Sequence, residues 1–161
     1  MCNLGDTSYI FHAGTDEQET RDLGPYSLQC GRRVDILKLW LEFIYYGREG
    51  LRSRIDTFMS LSRHAEDIIA NEPSLELQAP RWINNICFRT KTPPGVDAEE
   101  FNRQIRNRLY HSGESLVNVA YINDDLTIRL IICNKDVTEK DIDQFFKSWL
   151  HAARTVESEC Q

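Results

Sequence analysis

The chain has 161 residues, 41% of them hydrophobic and 27% charged, a length and composition suited to one ordinary globular core with at most an added arm. A net charge of −6, with basic residues scattered among acids, excludes the basic stripe that tracks nucleic-acid phosphates. Five widely spaced cysteines (Cys2, Cys30, Cys87, Cys133, Cys160) without a C-x-x-C pair argue against a disulfide framework and a zinc site, and no basic stretch followed by an apolar one marks a secretory signal. A reducing cytoplasm is the expected compartment.

Residues 1–32 carry turn formers at Gly5, Gly14, Gly24 and Pro25 and read as an arm or loop, with a short strand expected at residues 8–11. Residues 34–46 read as a helix that is apolar nearly all round, with Asp35, Lys38 and Glu42 as its narrow polar stripe. The segment is too short and too charged to span a bilayer, so it must be covered by protein. Gly47 and Gly50 are expected to break it. Leu51, Ile55, Phe58, Met59, Ala65, Ile68 and Ile69 then recur at the spacing of an ordinary amphipathic helix, which ends near residues 71–73.

Beyond that point the period changes. Leu75, Leu77 and Ala79 alternate with Glu76 and Gln78, as in a half-buried strand, and residues 85–89 form a second strand closed by Pro93-Pro94-Gly95. Asp97 with Glu100 fits a helix N-cap and its reciprocal partner; Phe101, Ile105 and Leu109 supply the inner face, and Gly113 the stop. Residues 116–122 and 126–133 are strands joined by Asn123-Asp124-Asp125. Thr138 with Asp141 opens a last helix, and from Thr155 the polar tail is expected to fray. The order ββαββα after two helices predicts an α+β unit with helices on one face of a mainly antiparallel sheet, and a boundary between residues 1–72 and 73–161.

Few residues offer chemistry. His12, His64, His111 and His151 lie in different elements with no nucleophile at a triad-like turn, and read as surface or helix-face histidines. Asp124 and Asp125 are adjacent on a tight turn, where side chains point apart, so they read as turn formers. Arg129 stands out: it sits mid-strand among apolar residues, on the same face as Thr127 and Ile131. It is either an arginine whose stem packs while its head reaches a structural carboxylate, or an anion-binding group, since a two-pronged donor on a rigid strand suits a carboxylate. Gly31, ahead of a helix, would let a backbone N–H approach an anion, although a glycine there also simply makes a turn.

The run Gly24-Pro25-Tyr26-Ser27-Leu28-Gln29-Cys30-Gly31-Arg32-Arg33-Val34-Asp35, followed by Leu37-Lys38-Leu39-Trp40-Leu41 and Tyr46-Gly47-Arg48-Glu49-Gly50, resembles the C-terminal part of the group II pyridoxal-phosphate-dependent decarboxylases. These are the relatives of glutamate, cysteine-sulfinate, diaminobutyrate and aromatic amino-acid decarboxylases. Asn85-Ile86-Cys87-Phe88-Arg89 and Thr127-Ile128-Arg129-Leu130-Ile131-Ile132-Cys133-Asn134 resemble two later segments in the same order. The resemblance implies a fold-type-I enzyme, in which residues 1–72 (arm plus two helices) end the large cofactor domain and its homodimer interface, and residues 73–161 form the small C-terminal domain. It implies that Gly31 helps hold the phosphate of pyridoxal 5'-phosphate and that Arg129 binds the carboxylate of an amino-acid substrate, one with an acidic side chain or one held by its α-carboxylate.

The same resemblance sets a limit. Decarboxylation in this family needs a lysine bonded to the cofactor and a histidine stacked on its ring. None of Lys38, Lys91, Lys135, Lys140 or Lys147 matches that lysine, and no His-Lys pair occurs. The expectation is a C-terminal piece, inactive without an N-terminal cofactor domain; the alternative is a free-standing, non-enzymatic binding or oligomerisation module.

Overall fold

The computed structural model describes residues 33–159. The chain divides at Gly47 into two compact units, 1–47 and 48–161. The strand expected at residues 8–11 and the anion-binding role expected of Gly31 lie outside the described residues.

In the first unit the described residues are 33–47, which hold the first third of α1 (Ile36–Asn71). Val34, Leu37, Trp40, Phe43, Ile44 and Tyr45 are all exposed, Trp40 at 56%, so the apolar helix carries the uncovered surface that its sequence implies. Gly47 is the one residue of α1 with non-helical torsions, φ 62° and ψ −178°. That combination is essentially restricted to glycine. Gly50, expected to help break the helix, is helical, because its weak propensity alone does not stop a helix held by its neighbours.

The second unit begins with the rest of α1, whose Leu61, Ala65 and Ile69 are buried. Then follow β1 (Leu75–Leu77), β2 (Asn85–Thr90), α2 (Ala98–Ser112), β3 (Asn118–Ile122), β4 (Asp125–Ile131) and α3 (Glu139–Glu159). The strands form one antiparallel sheet in the order β1-β2-β4-β3, with Cys87 and Asn118 each opposite Arg129. This is the α+β unit with an antiparallel sheet expected from the sequence.

Local chemistry explains the boundaries. Asp97 accepts a hydrogen bond from the Glu100 N–H at 2.7 Å and caps α2, while Gly113, at φ 75°, ends it in the left-handed conformation. Asn123 and Asp124, both at positive φ, make the two-residue turn that joins β3 to β4. Alternation then sorts the strands: Ile86, Phe88, Leu126 and Ile128 enter one core with Phe101, Ile105, Phe146 and Trp149 from the helices. Burying each such side chain stabilises the unit by roughly 1.5–3 kcal/mol.

Two expectations are corrected. β1 ends at Leu77 and β3 starts at Asn118, so both are shorter than the alternation suggested. The polar tail does not fray at Thr155: α3 continues to Glu159, because Val156 is buried in the core and Arg108 Nη2 holds both Glu159 carboxylate oxygens at 2.6 Å.

Candidate functional site

The core takes the even-numbered residues of β4, which leaves Thr127, Arg129 and Ile131 on the opposite face of the sheet. By the same register, Asn85, Cys87 and Arg89 of β2, Asn118 and Ala120 of β3 and Glu76 of β1 share that face. The structure therefore places Arg129 on an inner strand, between Cys87 and Asn118, on the face away from the helices.

The cations of this face differ in their partners. Arg89 is engaged: its Nε binds Glu76, and its Nη1 lies 4.0 Å from Asp125. Arg129 Nε is buried and has no hydrogen-bond partner among the described residues, and neither has the hydroxyl of the wholly buried Thr127. Buried polar groups ordinarily find partners, so two unmet ones on alternate residues of one strand mark this place. Burial pushes the Cys87 thiol above its usual pKa, and the neighbouring Arg129 charge works in the opposite direction. Cys87 is therefore a neutral wall of the site.

Sequence reasoning found Arg129 but passed over Arg89, Cys87 and Thr127. The signal for Arg89 was available: it is also an arginine in an apolar strand. Its carboxylates come from Glu76, 13 residues away, and Asp125, and only strand pairing brings these together. His64 has a structural part, with Nε2 2.7 Å from Asp143 Oδ1, which ties α1 to α3.

No described cavity includes Arg129. One of about 340 Å³, between the end of α1, β2 and α3, is lined by Glu72, Ser74, Lys91 and Arg154 among others, and its polar groups serve one another. Lys91 Nζ donates to the Pro73 carbonyl at 2.6 Å, and Ser74 donates twice to Glu72, which holds that carboxyl below its usual pKa. Among the described residues no cluster of three or more His, Cys, Asp or Glu could hold a metal, and no helix is long and apolar enough to cross a membrane.

Comparison with known proteins identifies the class. Residues 2–91 match the pyridoxal-dependent decarboxylase conserved domain, and the chain belongs to that family. It is 41% identical over 99 residues to the L-aspartate decarboxylase dtxS4 of Metarhizium robertsii, a match that takes in 60% of this chain and 19% of that protein. It is 27% identical over 139 residues to the 3,4-dihydroxyphenylacetaldehyde synthase of Drosophila melanogaster, covering 86% of this chain and 26% of that one. Its fold is similar to the crystal structure of mouse CSAD, with a TM-score of 0.77 at 25% identity over 87% of this chain and 33% of that chain. The chain thus spans about a fifth to a third of the length of the proteins it matches.

Pyridoxal phosphate, the cofactor of this family, requires an amine to bond its aldehyde and a cradle for its phosphate. The described residues do not meet that need by themselves. Strands β2, β3 and β4 contain no lysine. Lys38, Lys91 and Lys135 are bound to Asp35, the Pro73 carbonyl and Asp136, while Lys140 and Lys147 are exposed on α3.

Proposed function

We propose that this chain is the C-terminal part of a pyridoxal-phosphate-dependent amino-acid decarboxylase, a lyase that releases CO2 from an L-amino acid, and that Arg129 binds the substrate carboxylate. The observation that carries this reading is the buried, unmet Nε of Arg129, on the sheet face away from the helices in a chain of the decarboxylase family. A guanidinium on a rigid inner strand presents its donors in a fixed fork, which suits a planar carboxylate and orients the substrate at little entropic cost.

In this reading an N-terminal cofactor domain supplies the lysine, Gly31 contributes a backbone N–H to the cofactor phosphate, and the whole enzyme works as a cytoplasmic homodimer. Residues 1–72 would close the cofactor domain, and residues 73–161 would form the small domain that carries Arg129. The exposed apolar surface from Val34 to Tyr45 supports a partner domain there, since patches of this kind are rarely left bare.

The test is Arg129→Ala in the enzyme reconstituted from this chain and its cofactor domain. KM for the amino acid is expected to rise by roughly 10- to 100-fold, the worth of one charge-assisted contact, with cofactor content unchanged. Equal KM in mutant and parent rejects the role.

A further inference from the structure

We infer that Asn118 is a substrate-contacting residue: its carboxamide donates to the carboxylate that Arg129 holds, on the side from which that carboxylate enters. This deepens the carboxylate-binding reading of Arg129 and rests on it.

The sheet register sets the geometry. Arg129 on the inner strand β4 lies opposite Cys87 on β2 and Asn118 on β3, and the three share the face away from the helices. Directly opposed residues of an antiparallel pair hold their Cβ atoms about 4.5–5.5 Å apart, so both neighbours border the arginine stem. They differ in exposure. Cys87 is buried and β2 is an inner strand, whereas Asn118 is exposed and β3 is an edge of the sheet. The surface beside Arg129 is thus closed on the Cys87 side and open on the Asn118 side. A ligand that reaches Arg129 from solvent on that side passes Asn118.

Chemistry then selects the contact. Arg129 Nε has no partner among the described residues, so the two side chains do not bond each other, and the Asn118 carboxamide makes no hydrogen bond there either. Neither is consumed by the fold, in contrast to Arg89, which Glu76 and Asp125 engage. A carboxylate accepts about four hydrogen bonds, more than a guanidinium fork supplies, and an amide adds N–H donors without adding charge. Arg129 with Asn118 therefore offers one positive charge and a further donor to one carboxylate. A neutral ester of the same acid has no charge to match.

The test uses the complete ¹⁵N-labelled 161-residue chain and sodium glutarate, with sodium chloride of equal ionic strength as control. The Arg129 Nε–H signal, assigned by its loss in Arg129→Lys, and the Asn118 Nδ2 signals, assigned by their loss in Asn118→Leu, are expected to shift together with one dissociation constant. Chloride and neutral dimethyl glutarate should move neither. Read at Arg129, Asn118→Leu should raise that constant by roughly three- to tenfold, the worth of one hydrogen bond. Asn118→Asp, which sets a competing carboxylate opposite Arg129, should raise it further. A shift at Arg129 with Asn118 unmoved, or an unchanged constant in Asn118→Leu, overturns the inference and leaves the Arg129 reading standing. No response at Arg129 in the parent removes that reading and the inference with it. Should a variant fail to fold, the parent titration decides alone, by whether Asn118 Nδ2 moves with Arg129.

Discussion

Trp149 Nε1 donates a hydrogen bond to Thr90 Oγ1 at 2.9 Å, deep in the core, and so fastens α3 to the inner strand β2. Thr90 is also held through its backbone: its N–H donates to Asn102 Oδ1 at 2.7 Å, and its carbonyl accepts from Asn102 Nδ2 at 3.0 Å. One buried asparagine on α2 thus replaces a strand partner at the end of β2. Asn102→Ala strands both a buried N–H and a buried C=O, each costing about 1–3 kcal/mol. The expected loss is about 2–4 kcal/mol in urea unfolding, larger than that of Thr90→Val, which gives up only the indole contact.

Cys87 and Cys133 are expected to separate cleanly in alkylation, because one is buried with a raised thiol pKa and the other is exposed. At pH 8 iodoacetamide should modify Cys133 at least about tenfold faster than Cys87, since the thiolate is the reactive form. The linkage has a defined sign. A thiol whose folded pKa lies above its unfolded value, about 8.5, contributes stability below that value and loses it as pH rises through the folded pKa. Urea midpoints should therefore decline from about pH 8.5 upward, and Cys87→Ser should weaken that decline.

The second unit was legible in the sequence because its signals are local. Asp97 and Gly113 bound α2, Asn123 and Asp124 turn the β3–β4 hairpin, and the alternation of β4 set Arg129 apart from Ile128. What escaped depends on tertiary context. α3 runs on to Glu159 only because Val156 finds the core and Arg108 holds the last turn from α2. Gly50 looked like Gly47, yet only Gly47 takes torsions reserved for glycine. In the site, Arg129 was readable as a cation out of place, whereas the Arg89 pairing with Glu76 is a property of β1–β2 register.

The start of α3 should respond to acid. Thr138 donates from its backbone N–H and its hydroxyl to Asp141 Oδ2, at 2.8 and 2.7 Å, and these two donations to the carboxylate lower the Asp141 pKa. A depressed folded pKa means that the stabilisation is present above the unfolded value, about 3.9, and is lost as pH falls through the folded one. Asp141→Asn is therefore expected to lower Tm at pH 7, with the gap to the parent closing below about pH 4. A gap that persists unchanged at pH 2.5 would show that charge plays no part.

Ile83 is the site of stored strain. The turn from Trp82 to Asn85 closes with paired backbone hydrogen bonds of 3.0 and 2.9 Å, and Ile83, its first central residue, has φ 55°. Positive φ at that position is what a type II′ turn demands, where glycine is preferred and a β-branched residue is an outlier. The turn is held regardless: Arg81 Nη1 donates to the Ile83 carbonyl at 2.8 Å, while Arg81 Nε binds Glu66 on α1 at 2.7 Å. The left-handed conformation costs an L-residue about 1–2 kcal/mol, and glycine returns about 0.5–1 kcal/mol of that in backbone entropy. Ile83 is more than half exposed, so its removal forfeits little burial. Ile83→Gly is therefore expected to raise stability by about 0.5–1 kcal/mol in urea unfolding, a direction opposite to that of most substitutions. Arg81→Ala, which releases the clamp and leaves the strain, should lower it. A loss of stability in Ile83→Gly would mean that the isoleucine side chain holds a contact worth more than the strain it carries.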